Sequence, residues 1–165
     1  MHLFHLVQVR RMIIEILPGL FAKMNENLPE KDRRSGGHFC MMETGGAMCF
    51  DLEIGKPPAE KQDSYLLRCL EKGVRLSYKN RFGGDKSAFL SRSPDENMYG
   101  GAICWNGFIF AFGGLPDLAD EALMMRLLRD PRWDELECFE EITFYEIREI
   151  VGVTNNPHLD WIMNS

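Results

Sequence analysis

The run from Gly100 to Glu121 limits what this chain can become more than any other, because it writes a hairpin and then a helix without interruption. Asn106-Gly107 supplies two residues that tolerate the positive φ of a two-residue turn. Around that turn Ile103 and Trp105 align with Phe110 and Phe108, and Phe112 continues the same face. Ala102, Cys104, Ile109 and Ala111 make the opposite face almost as apolar. A hairpin greasy on both sides is expected near the centre of a sheet, with helices on one side and another layer or subunit on the other. Gly113-Gly114-Leu115-Pro116 then breaks the strand. Asp117 is placed to cap a helix carrying Leu118, Ala122, Met125 and Leu128, with Asp120 and Glu121 in its first turn, where unpaired backbone donors favour negative charge.

A second hairpin is expected earlier in the chain, with Gly45-Gly46 as its turn. Met48, Phe50, Leu52 and Ile54 alternate with Cys49, Asp51 and Glu53. That register sets Glu43, Met41 and Phe39 opposite Met48, Phe50 and Leu52, so most of one face is apolar. Between the hairpins, Gly55-Lys56-Pro57-Pro58 ends a strand and opens a helix over about 59–78. Tyr65, Leu66, Cys69, Leu70, Val74, Leu76 and also Leu67 supply its apolar surface, and Gly73 marks close packing on the sheet. Ser87-Ala88-Phe89-Leu90 is a candidate further strand.

The N-terminal segment repeats Phe4, Val7, Arg11, Ile14, Leu17, Phe21 and Met24 at helical spacing, flanked by Leu3, Leu6, Ile13 and Leu20, with Pro18 placed to kink it. Leu28–Gly37 reads as a polar loop. Residues 141–153 fit a strand or a helix equally, since Ile142 and Phe144 alternate with Thr143 and Tyr145 while Phe144, Ile147 and Val151 keep helical spacing. The tail from Pro157 through His158, Leu159, Trp161 and Ile162 reads as a short docking segment. The sum is one α+β domain over residues 1–165: an antiparallel sheet of four to five strands with helices packed on it.

Composition removes several functions. A net charge of -6 over 165 residues disfavours a general nucleic-acid surface, and Lys31, Arg33 and Arg34 are interrupted by Glu30 and Asp32. Gln8, Arg10, Arg11 and Glu15 break the apolar N-terminus short of a membrane span, so a cytoplasmic protein without a membrane partner is expected. Cys40, Cys49, Cys69, Cys104 and Cys138 form no CxxC pair and are read chiefly as small buried hydrophobes. Gly113-Gly114 ahead of a helix offers backbone donors to an anion, but neither nucleotide-binding glycine motif is present and Asp117, Asp120 and Glu121 oppose phosphate. No GxSxG elbow occurs. His2 and His5 could share a metal but lack a spaced carboxylate or thiol. Asp134, Glu135, Glu137, Glu140 and Glu141 follow no calcium-loop pattern and read as a solvated face.

The helix from Ala59, the strand Gly100-Gly101-Ala102-Ile103, the strand Gly107–Phe112, the Gly113-Gly114 turn and Asp120-Glu121-Ala122 follow an order that resembles the haem-binding and haem-degrading proteins related to HbpS and GlcG. The resemblance covers about 80 residues. It implies a profilin-like or PAS-like fold and names haem as a cofactor; where those proteins have a serine-glycine turn, Gly113 stands here. His38, just before the first strand, is placed near a sheet-edge cavity and is the candidate axial haem ligand. His38, Gly113, Gly114, Asp120 and Glu121 are thus the candidate cofactor-binding pocket.

Two function classes follow. One is a small-ligand sensor or carrier, taking a haem-like or other small hydrophobic molecule between sheet and helices. The other is a structural or regulatory homo-oligomer, built through the two-sided apolar stretch Ala102–Phe112 and the N-terminal helical stripe. An enzyme ranks third, since spacing assigns no acid and base pair.

Overall fold

A computed structural model describes residues 3–136 and 142–164 of the chain. His2, Cys138, Glu137, Glu140 and Glu141, named above, lie outside the described residues. Four antiparallel strands form one sheet in the order β2-β1-β4-β3: β1 is Gly36–Glu43, β2 Met48–Gly55, β3 Ala102–Trp105 and β4 Phe108–Gly113. The two hairpins meet along β1 and β4, where Phe39 faces Phe112 and Met41 faces Phe110. The Asn106-Gly107 turn has φ of 48° and 78°, and Ile103–Phe110 and Trp105–Phe108 pair as the alternation requires.

The first hairpin keeps Met41–Phe50 and Phe39–Leu52 but pairs Met42, not Glu43, with Met48. Its loop spans three residues: the Gly46 amide donates to the Glu43 carbonyl, the Glu43 amide to that of Ala47, and Gly46 alone of the two glycines takes a positive φ, 91°. The register shifts between Met41 and Met42, and such an extra residue reverses the in-out phase beyond it. Cys49 therefore packs toward the core while Met48 is exposed, the reverse of simple alternation.

Helices cover both faces. On one side lie α1 (Leu3–Asn27) and α3 (Asp117–Leu128) against Phe39, Met41, Ile103, Phe110 and Phe112. The buried line of α1 runs through Val9, Ile13, Leu17, Phe21 and Met24; Val7 and Ile14, on the expected stripe, are exposed. α1 continues as one helix through Pro18. On the other side lies α2 (Gln62–Gly83), entered through a 3-10 turn at Ala59–Lys61 and ended by Gly84 in the left-handed conformation. It packs Cys69 and Leu76 on Cys40, Met42, Ala102, Ile109 and Ala111, with Tyr65 and Gly73 buried along the same line. Gly73 is where the helix comes closest: a Cβ there would stand 2.5 Å from the Met42 sulfur. Leu67 and Val74, expected to pack inward, point to solvent.

Ser87 makes a single bridge to Ile103, and its hydroxyl then caps a 3-10 turn at Ala88–Ser91 by accepting from the Phe89 amide, so the expected fifth strand is a turn. Gly36 and Gly37 belong to β1 rather than to the preceding loop. Pro116 caps α3 and Asp117 is its first residue. Residues Phe144–Thr154 form helix α4, its start fixed by a capping box of Thr143 and Glu146; the helical spacing of Ile147, Ile150 and Thr154 buries one face and resolves the alternative in favour of helix. The short α5 (Leu159–Asn164) docks by burying Ile162. Among the described residues no helix is long and apolar enough to cross a membrane.

Candidate functional site

Three segments far apart in sequence meet where α2 crosses the end of β4. The Tyr65, Cys69, Lys72, Leu76 line of α2 faces the sheet, and this carries Lys72 to full burial. Its ammonium donates to the Phe112 carbonyl at 2.5 Å and to Asp120 Oδ2 at 2.7 Å. The other Asp120 oxygen accepts the Leu115 amide at 2.9 Å, closing the turn that leads into α3. Removal from water pushes the Asp120 carboxyl up to about 7; the Lys72 ammonium and the Leu115 amide pull against burial and do not offset it.

Glycine makes this approach possible. A Cβ on Gly101 (φ 100°) would stand 2.4 Å from the Asp120 Cβ and 2.8 Å from Lys72 Nζ, and one on Gly113 would stand 2.7 Å from the Tyr65 carbonyl oxygen. The second contact accounts for glycine where the resemblance implies serine: the α2 backbone occupies the space a side chain needs.

Outside this floor is a groove of about 390 Å³ lined by the basic Arg34, Lys61 and Arg68, the acidic Glu60 and Asp117, Ser64, Tyr65, Tyr99 and the Gly114-Leu115-Pro116 turn. Beneath it a cavity of about 20 Å³, room for one water, reaches Lys72, Gly113 and Asp120. The two share Arg68, Tyr99, Gly114, Leu115 and Asp117. Arg68 lies 4.8 Å over the Tyr99 ring, and Arg75 donates to the Tyr99 carbonyl and to that of Ala88, at 2.7 Å for the latter, which fixes the wall of the groove. No ion pair joins Arg34, Lys61 or Arg68 to a carboxylate among the described residues.

The pocket expected from sequence is therefore divided. Gly113, Gly114 and Asp120 come together at the groove. Glu121 lies on the adjacent side of α3, where the Ser87 hydroxyl and Asn156 Nδ2, at 3.1 Å, donate to it; burial raises its carboxyl, with these donors opposing. His38 is not at a sheet edge. It sits within β1, paired with Glu53 and Gly113 on either side, and its Nε2 is 2.9 Å from Asp51 Oδ2. Neither His38 nor Glu121 lines the groove. Lys72, Arg68, Lys61 and Tyr99 were not singled out by sequence reasoning, and Arg34 entered it only in the interrupted basic run of a loop. The available signal for Lys72 was its place at spacing three and four between Cys69 and Leu76, on the line of α2 that faces the sheet.

No group of three or more metal-ligating side chains occurs among the described residues. No protein-family model, curated protein or solved structure matches the chain. Fold and site together define an α+β domain whose helix-covered antiparallel sheet carries a polar groove of small-molecule size.

Proposed function

We propose that this protein is a small-ligand-binding module, a sensor or carrier, and that the groove between α2 and the β4–α3 turn receives a small anionic molecule bearing a carboxylate or phosphate. The observation that carries this reading is the convergence of Arg34, Lys61 and Arg68 on a groove of about 390 Å³, within the range typical of small-ligand sites. Guanidinium forks suit planar oxyanions, and the faces of Tyr65 and Tyr99 suit the apolar part of such a ligand. Glu60 and Asp117, also in the lining, favour a ligand that carries a donor as well.

Kinship with the HbpS- and GlcG-related proteins, and with it a profilin-like or PAS-like fold, belongs to the same proposal. It is supported by two hairpins joined along β1 and β4 with a long helix between them. That kinship keeps haem among the ligands to be offered. A cytoplasmic setting is supported by the free thiols Cys40, Cys49, Cys69 and Cys104.

Calorimetric titration with small carboxylates, phosphate monoesters and haem tests the reading. The expected result is saturable binding of an anion, weakened at least about tenfold by Arg68→Ala, since a charge-assisted contact is lost. Anion binding indifferent to Arg68→Ala, or no saturable binding by any of the three classes, overturns it.

A further inference from the structure

The outward face of α2 is apolar where a lone helix on a sheet should be polar. Leu67, Val74, Tyr78 and Phe82 are 64%, 54%, 63% and 70% exposed, and the Tyr78 and Phe82 rings touch at 4.8 Å between centroids. Four large exposed apolar side chains on one helix are a patch, not the scatter of single residues common on protein surfaces. At 100° per residue, Asp63, Leu67, Leu70, Val74, Tyr78 and Arg81 fall on one stripe with spacings of 4, 3, 4, 4 and 3, with Leu70 at its inner edge, partly buried against the Cys69 and Leu76 cluster, and Phe82 just beyond its outer edge. That is the spacing of a helix–helix seam.

We propose that α2 pairs with α2 of a second copy of this chain, antiparallel, about a two-fold axis close to residue 72. The argument for a second copy rather than another partner is that the stripe is complementary to itself. In an antiparallel pair, residues whose numbers have a constant sum face each other: Asp63 with Arg81 of the second copy sum to 144, and so do Leu70 and Val74, while Leu67 and Tyr78 sum to 145. One register therefore joins acid to base at both ends and apolar to apolar between. The ends of the helix repeat the match, with Asp63 in its first turn and Lys79 and Arg81 in its last turns. A two-fold axis makes each contact occur twice. Opposed helix dipoles add to the preference for the antiparallel arrangement. Of the other faces of α2, one lies on the sheet through Cys69, Gly73 and Leu76, one on the 88–99 segment through Arg75, and one, with Ser64 and Arg68, borders the groove.

This differs from the oligomer expected from sequence. Of the surfaces that expectation invoked, both sides of Ala102–Phe112 are covered by the chain's own helices, while the N-terminal stripe keeps Val7 and Ile14 exposed. It is also independent of the ligand groove.

Sedimentation velocity of the full chain over a range of concentrations is expected to show a monomer–dimer equilibrium. Asp63→Arg or Arg81→Asp alone places like charges together twice and should weaken it about tenfold, whereas Asp63→Arg with Arg81→Asp should return it toward the original. Val74→Arg should leave monomer. In the orientation test, Leu67→Cys chains mixed with Tyr78→Cys chains are expected to form the mixed disulfide in excess over either homodisulfide. A wild-type chain that stays monomeric, a charge-swapped double variant no better than the single variants, or homodisulfides in excess would each overturn the proposal.

Discussion

The two faces of the sheet are built from different materials. The face under α1 and α3 is continuous hydrocarbon and aromatic ring: Phe21 against Phe112, Phe39 against Phe50, and Phe110 edge-on to Trp133 at 5.6 Å. The face under α2 is mostly small and polarisable, with Cys40, Met42, Ala102, Cys104 and Ala111 beside Ile109, and Lys72 of α2 is buried at one end of it. Small side chains let α2 approach closely enough for its backbone to crowd Gly113, and that approach brings a buried ammonium to the mouth of α3. One face thus supplies most of the burial that holds the domain together, while the other trades burial for a fixed polar geometry.

The difference is sharpest under truncation. Phe110→Ala, at the centre of the oily face, is expected to cost about 3–5 kcal/mol in denaturant unfolding, the loss of a buried ring plus the cavity it leaves. A cost below about 1 kcal/mol would mean that the two faces are not distinct in this way.

Lys72→Met tests the other face. It strands the Phe112 carbonyl and the Asp120 carboxyl together, and a cost of about 3 kcal/mol is expected. Neutralising the carboxylate as well, in Lys72→Met with Asp120→Asn, should recover much of that loss, because the amide oxygen still accepts from Leu115 while the unpaired buried charge is gone. Additive losses in the double variant would show that the two groups act separately.

The smallest expected effect is the dependence on pH. Asp120 is held at about 7 in the folded chain against 3.8 for an unperturbed carboxyl. A raised value means that the folded state keeps the proton after the unfolded state has released it. This contribution is complete below pH 4, fades as pH climbs toward 7, and is constant beyond. The stability difference between wild type and Asp120→Asn should therefore fall as the pH rises between those limits, measured by urea unfolding at fixed ionic strength. A difference that does not change with pH would remove Asp120 as the group responsible.

Features encoded by neighbouring residues were legible in the sequence. Asn106-Gly107 fixes a turn by its own backbone preferences, and the pairing of Ile103 with Phe110 follows from counting outward. The first hairpin was legible only up to its bulge, since the shift after Met41 is settled by how Glu43, Gly46 and Ala47 close the loop and not by apolar alternation. Leu67 and Val74 show the converse limit: hydrophobicity marked them for the interior, yet helical phase sets them opposite Cys69 and Gly73. The candidate site was legible in its glycines and in Asp120. Its cations were not, because Lys72 reads as an ordinary solvent-facing lysine until Phe112 and Asp120, 40 and 48 residues away, are folded against it.

Lys72 is the knot of a three-way tie, anchored on a helix, a strand end and the first turn of the next helix. Lifting α2 at that point would release the end of β4 and the entry to α3 in the same event. The floor of the groove should accordingly open or stay shut as a unit, and the amides of Phe112, Leu115 and Lys72 should exchange their hydrogens in step instead of one after another.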